Sequence, residues 1–196
     1  MSKQVLKDSL VQEARAAELL YFNSNGVWRK RPRSEAFQKT GRPPIPVRWV
    51  DMNKGDELNP KYRSRLVARQ LKATDKSNAT YFAPTPPLES LRSILTSASS
   101  NIGNWKTCRD KSSEDRTQIL ILDIARAYFN AKIDEVQHTY VDLPAGDPDS
   151  GVLCVELLRH MYGTRAAADG WQEEYSSTIV SMLGFARGVS SPCVFR

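Results

Sequence analysis

Apolar positions along the chain change their period from one stretch to the next, and each period predicts an element. From Val5 to Tyr21 the apolar side chains fall at 6, 10, 14, 17 and 20 to 21, the spacing of one helical face, and Asn23 to Gly26 supplies a stop and a turn. Val27 to Pro46 loses that pattern. It is basic and rich in Pro and Gly, and GRPPIP (41 to 46) reads as an extended connector. VRWVDM (47 to 52) and Tyr62 to Leu71 read as two strands around the polar turn Asn53 to Pro60, which predicts an antiparallel hairpin with an arginine-studded face. Leu88, Leu91, Ile94, Leu95 and Ala98 return to helical spacing between Pro87 and Ser100, and the polar, aperiodic Asn101 to Thr117 reads as a loop. Thr139 to Leu143 and Val152 to Leu158 predict short strands joined by the turn-rich PAGDPDSG. After the small-residue bend His160 to Gly170, Trp171, Tyr175, Ile179 and Met182 to Leu183 line one face of a helix that Gly184 ends.

The most apolar run, Ile119 to Leu122, is rich in β-branched residues and too short for a helix, so it predicts a buried strand with Asp123 at its C-terminal end. Tyr128 and Phe129 follow about one turn later if the chain becomes helical after the acid. The stretch therefore offers a hard oxygen ligand for magnesium beside a bulky wall beneath a sugar, as a metal-dependent nucleotidyl transferase requires. The plainer reading makes Asp123 the N-cap of a short helix from Ile124 to Asn130. Against a capping box, position 126 is Arg rather than Glu or Gln.

With 40% hydrophobic and 26% charged residues, the composition is that of a folded domain rather than a disordered chain. No apolar stretch reaches membrane-spanning length and the N-terminus has no signal-peptide core, so an intracellular, cytoplasmic protein without a membrane partner is expected, nuclear entry being the alternative. Cys108, Cys154 and Cys193 are widely spaced and only His138 and His160 are present, which argues against zinc, disulfide and Ser/His/Asp or Cys/His chemistry. Both histidines read as surface or structural. The net charge of +6 favours a polyanionic partner, and the positive charge is clustered. RKRPR (29 to 33) reads as a nuclear-import signal, a phosphate-contacting patch or a solvated loop; KYRSRLVAR (61 to 69) spaces its cations in a strand-like pattern.

In order, VRWV (47 to 50), KYRSRLVAR (61 to 69), YFAPTPPLESLRSIL (81 to 95), LDIARAYFN (122 to 130), HTYVDLPAG (138 to 146), LLRHMYGTRAAADGW (157 to 171) and LGFARGVSSPCVF (183 to 195) resemble the reverse transcriptase domain of copia-type long-terminal-repeat retrotransposons. Each piece is a short motif; the seven in sequence carry the resemblance. It implies an α+β right-hand polymerase, with fingers, a partial palm and an antiparallel palm sheet lacking its final catalytic hairpin. The implied divisions are 1 to 44 as N-terminal helix and basic connector, 45 to 84 as fingers, 85 to 132 as palm with the aspartate motif, 133 to 165 as fingers return, and 166 to 196 as palm helix and the start of the palm hairpin.

The resemblance also implies roles. Asp123 matches the first catalytic aspartate, a ligand of Mg2+, with the backbone carbonyl of Ile124 helping to hold the second ion. Tyr128 matches the steric gate against a ribose 2′-hydroxyl, the alternative being a core aromatic beside Phe129. Arg63, Arg65 and Arg69 fall in the segment whose basic residues grip the triphosphate, and a one-residue slip would change which of them does so. Gly163 matches the glycine of a bend near nucleotide and template, the alternative being a helix-start glycine. Where the family has Gln, Pro and Arg after that glycine, Ala166, Ala168 and Asp169 stand. The chain contains no Asp-Asp pair, whereas the family carries Tyr-x-Asp-Asp, so it is expected to be the front part of a Pol polyprotein's polymerase domain. Partners implied are an RNA or DNA template with primer and deoxynucleoside triphosphates. The alternatives are an inactive relic that only binds nucleic acid and a host interaction protein.

Overall fold

The computed structural model describes residues 4–71, 85–100, 121–134 and 136–195. The Asn101 to Thr117 loop, Ile119, Leu120, Cys108 and the first residues of the YFAPTPP motif lie outside them. The fold is mixed helix and antiparallel sheet, in two compact units: one comprises Met1–Phe82 and Arg126–Glu174, the other Ala83–Ala125 and Tyr175–Arg196.

In the first unit, helix α1 (Asp8–Ser24) is stopped by Asn25 and by Gly26 at φ +56°, where the left-handed backbone suits glycine. Its buried positions are Val11, Glu18 and Phe22, while Leu20 is exposed. The stripe is thus rotated from the apolar one in the sequence, because the packed face carries charges that are paired. Arg15 donates to Asp51 at 2.6 and 3.1 Å and lies over the Trp49 ring, and Glu18 accepts from Arg126.

The basic stretch after α1 is not a connector. It forms strand β1 (Trp28–Pro32) and helix α2 (Arg33–Thr40), which ends on Gly41 at φ +66°. β1 pairs antiparallel with β5 (Leu153–Leu157), and β5 pairs antiparallel with β4 (Tyr140–Asp142), giving the order β1-β5-β4. One face of this sheet joins Phe22, Val27, Leu66, Phe129, Val141, Val155 and Met161 in the main core. On the other, α2 sets Ala36 against Tyr140 and Cys154. Every cation of RKRPR has an acidic partner: Arg29 and Arg31 meet Glu156, Lys30 meets Asp147 and Asp149, and Arg33 meets Asp142. The solvated-loop reading of that cluster gives way to a strand whose cations have acidic partners.

Strands β2 (Val47–Asn53) and β3 (Tyr62–Ala68) form the expected hairpin, with Val50 opposite Arg65 and Met52 opposite Arg63. Helix α4 (Ala167–Leu183) buries Gln172 and Ser176 rather than Trp171, a one-residue rotation from the apolar stripe. It ends at Gly184, φ +72°. In the second unit, helix α3 (Leu88–Ser100) matches its apolar spacing, although Leu88, Leu91, Ile94 and Leu95 are exposed. Among the described residues no helix is long and apolar enough to cross a membrane.

Candidate nucleic-acid and nucleotide site

Side chains alternate across a strand, so the β2–β3 hairpin sorts its residues by parity. Ser64, Leu66 and Ala68 point inward and are buried. Ser64 donates to Asp51, whose carboxyl is held below the usual range chiefly by the hydrogen bond from Arg15. The opposite face carries Arg63, Arg65 and Val67 on β3 with Met52, Val50 and Arg48 across from them. Arg69, one residue past β3, continues that parity and is exposed; its amide donates to the carbonyl of Pro46 at 2.8 Å. Arg48, Arg63, Arg65 and Arg69 form no ion pair with a described residue. Among the described residues a polyanion meeting this face has no paired carboxylate to displace, in contrast to β1.

The end of β3 is joined to the bend before α4. The Ala68 amide donates to the Tyr162 carbonyl at 2.8 Å and the Gln70 amide to the Gly163 carbonyl at 3.3 Å. Gly163 has φ +84°, and a Cβ there would overlap the carbonyl oxygen of Ala68. Only glycine allows the two backbones to close at this point, which lies ahead of the start of α4 at Ala167. The adjacent Tyr162 ring lies 5.0 Å from the Arg65 guanidinium and 5.1 Å, edge-on, from the Tyr128 ring. Arg65 Nε is buried with no hydrogen-bond partner among the described residues. Arg65, Tyr162, Tyr128 and Gly163 are thereby brought together, and Arg63 and Arg69 flank them along the strand.

The aspartate motif departs from expectation. Ile121 and Leu122 are 88% and 71% exposed and belong to no strand, so the buried strand is not formed over these described residues. Asp123 and Ile124 are exposed and belong to no helix or strand. Helical structure begins later than expected, as a 3-10 turn from Ala127 to Asn130 whose N-cap is Arg126, at φ +51°. Asp123 is therefore not the cap of that turn. Phe129 is buried in the main core while Tyr128 is half-buried, so the two aromatics of the pair face different surroundings.

A protein-family model described as reverse transcriptase (RNA-dependent DNA polymerase) matches residues 37–195. The chain belongs to this family. No curated protein and no solved structure gave a match. The family match begins inside α2 and covers the hairpin, the aspartate motif, the β4–β5 pair and α4, leaving α1 and β1 ahead of it.

Two-metal phosphoryl transfer needs several carboxylates holding ions about 4 Å apart. Among the described residues of this reverse transcriptase domain no group of three or more His, Cys, Asp or Glu is placed to hold a metal. Asp123 offers one hard oxygen ligand, and the described residues do not complete the set. The histidines are structural partners. His138 Nδ1 lies 2.8 Å from Glu156, and burial pushes the pKa of His160 down where it packs against Gly170. Two residues of the site were missed in the sequence. Arg48 was detectable from strand parity once Val50 is set against Arg65, whereas Tyr162 has no local signal, since its place between Arg65 and Tyr128 is a tertiary result.

Proposed function

We propose that the chain is the fingers and part of the palm of a copia-type retrotransposon reverse transcriptase. In this reading its hairpin face takes the phosphates of an RNA or DNA template–primer and of incoming deoxynucleoside triphosphates. The observation that carries the reading is the row Arg48, Arg63, Arg65 and Arg69, without acidic partners among the described residues, in a chain whose other basic cluster is fully paired. Arg65 reaches the phosphates from its seat on Tyr162, Tyr128 stands as the wall against a 2′-hydroxyl, and Gly163 lets the bend approach the strand end. Asp123, with the carbonyl of Ile124, supplies part of a Mg2+ site that further carboxylates must complete. Magnesium bound there would neutralise phosphate charge. The second reading, for which the described residues group no three metal-ligating side chains, is a relic that holds nucleic acid without catalysis.

Binding of an RNA–DNA duplex across a salt series tests the shared core of both readings. Each phosphate contact contributes about 0.7–0.9 to the slope of log affinity against log salt. Replacing Arg63, Arg65 and Arg69 by Ala should reduce that slope by about 2–3. Lys30→Ala, which removes a cation already paired with Asp147 and Asp149, should leave the slope unchanged. A slope insensitive to the triple substitution refutes the assignment of the hairpin face.

A further inference from the structure

Arg126 is the one non-glycine residue with positive φ among the described residues, at +51°. A left-handed conformation is unfavourable for a side chain of this size and persists only where surrounding contacts hold it. Those contacts come from α1. Glu18, 3% exposed, accepts hydrogen bonds from Arg126 Nη2 at 2.8 Å and Nε at 3.2 Å, and the guanidinium lies 3.9 Å from the centre of the Tyr21 ring. A carboxylate so deeply buried must be paired, so once Glu18 is packed the position of Arg126 is prescribed.

The consequence is local. Arg126 is the N-cap of the turn carrying Tyr128, and its carbonyl accepts from the Phe129 amide at 2.9 Å. The turn is fastened again from the other side, where Arg159 donates to the carbonyl of Phe129 at 3.2 Å and Tyr162 meets both Tyr128 and Phe129. We infer that α1 is a positioning element for this turn: Glu18, acting through the left-handed Arg126, sets where the Tyr128 ring stands. Both Glu18 and Tyr21 precede the segment that the family model matches. The functional consequence rests on the reading of Tyr128 as the wall against a 2′-hydroxyl; the placement of the ring does not.

The full chain labelled with 3-fluorotyrosine tests the inference, Tyr128 being assigned by loss of its fluorine resonance in Tyr128→Phe. In Glu18→Gln, held well below its melting temperature, the Tyr128 resonance should shift or broaden as Arg126 relaxes out of the left-handed region. Adding Arg126→Gly to Glu18→Gln should return the resonance toward its original position, because glycine adopts that conformation without a clamp. Generic destabilisation predicts the opposite, a double variant disturbed at least as much as the single one. An unmoved Tyr128 resonance in Glu18→Gln, or no recovery in the double variant, overturns the inference. If Glu18→Gln does not fold, Arg126→Gly and Arg126→Ala decide together, since both unpair Glu18 equally: the Tyr128 resonance should stay nearer its original position in the glycine variant than in the alanine variant, and equal displacement in the two overturns the inference. In a polymerase-competent polypeptide carrying this chain, the same pair should raise and then restore ribonucleotide incorporation relative to deoxynucleotide. Fluorine shifts without a change in that ratio would leave the clamp standing and remove the gate role of Tyr128.

Discussion

Glu156 is the acid on which the β1 cluster converges, and its replacement by Gln has a pH-dependent effect that can be worked out. The residue is 3% exposed, and burial alone would raise its pKa. Hydrogen bonds from Arg29 at 2.7 Å and His138 at 2.8 Å, the charge of Arg29 and a hydrogen bond from Arg31 outweigh burial and hold it at about 2, against an ordinary 4.5. At about 1.4 kcal/mol per tenfold change in proton affinity, that depression corresponds to roughly 3 kcal/mol. The folded pKa is the lower one, so the unfolded chain binds the proton more tightly. The stabilisation is therefore complete above about pH 4.5 and is lost as the pH falls through about 2. Gln mimics the protonated acid. Glu156→Gln should accordingly be less stable than the parent by roughly 3 kcal/mol near neutral pH, and the gap should close as the pH approaches about 2. Urea denaturation of both proteins in steps from about pH 6 to about pH 2.5 reads the gap directly, and other acids cancel in the difference. A gap that stays constant over that range would refute the reasoning, because it would make the loss one of packing rather than of charge.

Gly163→Ala should destabilise by about 2–4 kcal/mol, combining an unfavourable positive φ with overlap on the Ala68 carbonyl; Gly41→Ala, with positive φ but open space, should cost only about 1–2 kcal/mol in the same denaturation assay. Phe129→Ala, which empties the centre of the core, should cost about 3–5 kcal/mol, whereas Tyr128→Ala at a half-buried position should cost less and, in a polymerase-competent polypeptide, relax selectivity against ribonucleotides. In a polymerase-competent polypeptide carrying this chain, Asp123→Asn should abolish primer extension on a primed RNA template with Mg2+, as loss of a metal-ligand carboxylate does. Extension undiminished in Asp123→Asn would remove Asp123 from the metal site.

The elements legible in the sequence were those whose pattern and packing agree. The β2–β3 hairpin was readable because its turn is polar and its buried face, Ser64, Leu66 and Ala68, is small or apolar. α3 and the β4–β5 pair were readable from spacing and turn residues. β1 was not. RKRPR has no apolar alternation, and its strand exists because Arg29, Lys30, Arg31 and Arg33 meet acids more than a hundred residues away, a complement that no local window contains. The same blindness rotated α1, whose packed stripe includes Glu18 and Arg15. A hydrophobicity period assigns charges to solvent, and here two of them face inward because Arg126 and Asp51 wait for them.

Paired charges misplaced an element in the sequence reading, and on the hairpin face the described residues bring no such pairing. Basic composition alone cannot distinguish RKRPR from KYRSRLVAR, since both are arginine-rich and both lie on strands. The difference is the partner strand. β1 lies against β5 and beside the acidic β4–β5 loop, so its cations are consumed by the fold. β3 lies against β2, which presents Arg48, Val50 and Met52 to the shared face and turns its only carboxylate, Asp51, inward to Arg15 and Ser64. A strand pairing that turns Asp51 inward leaves the opposite face without an acidic partner among the described residues. A cationic face kept in that state raises the local concentration of polyanions and speeds their capture.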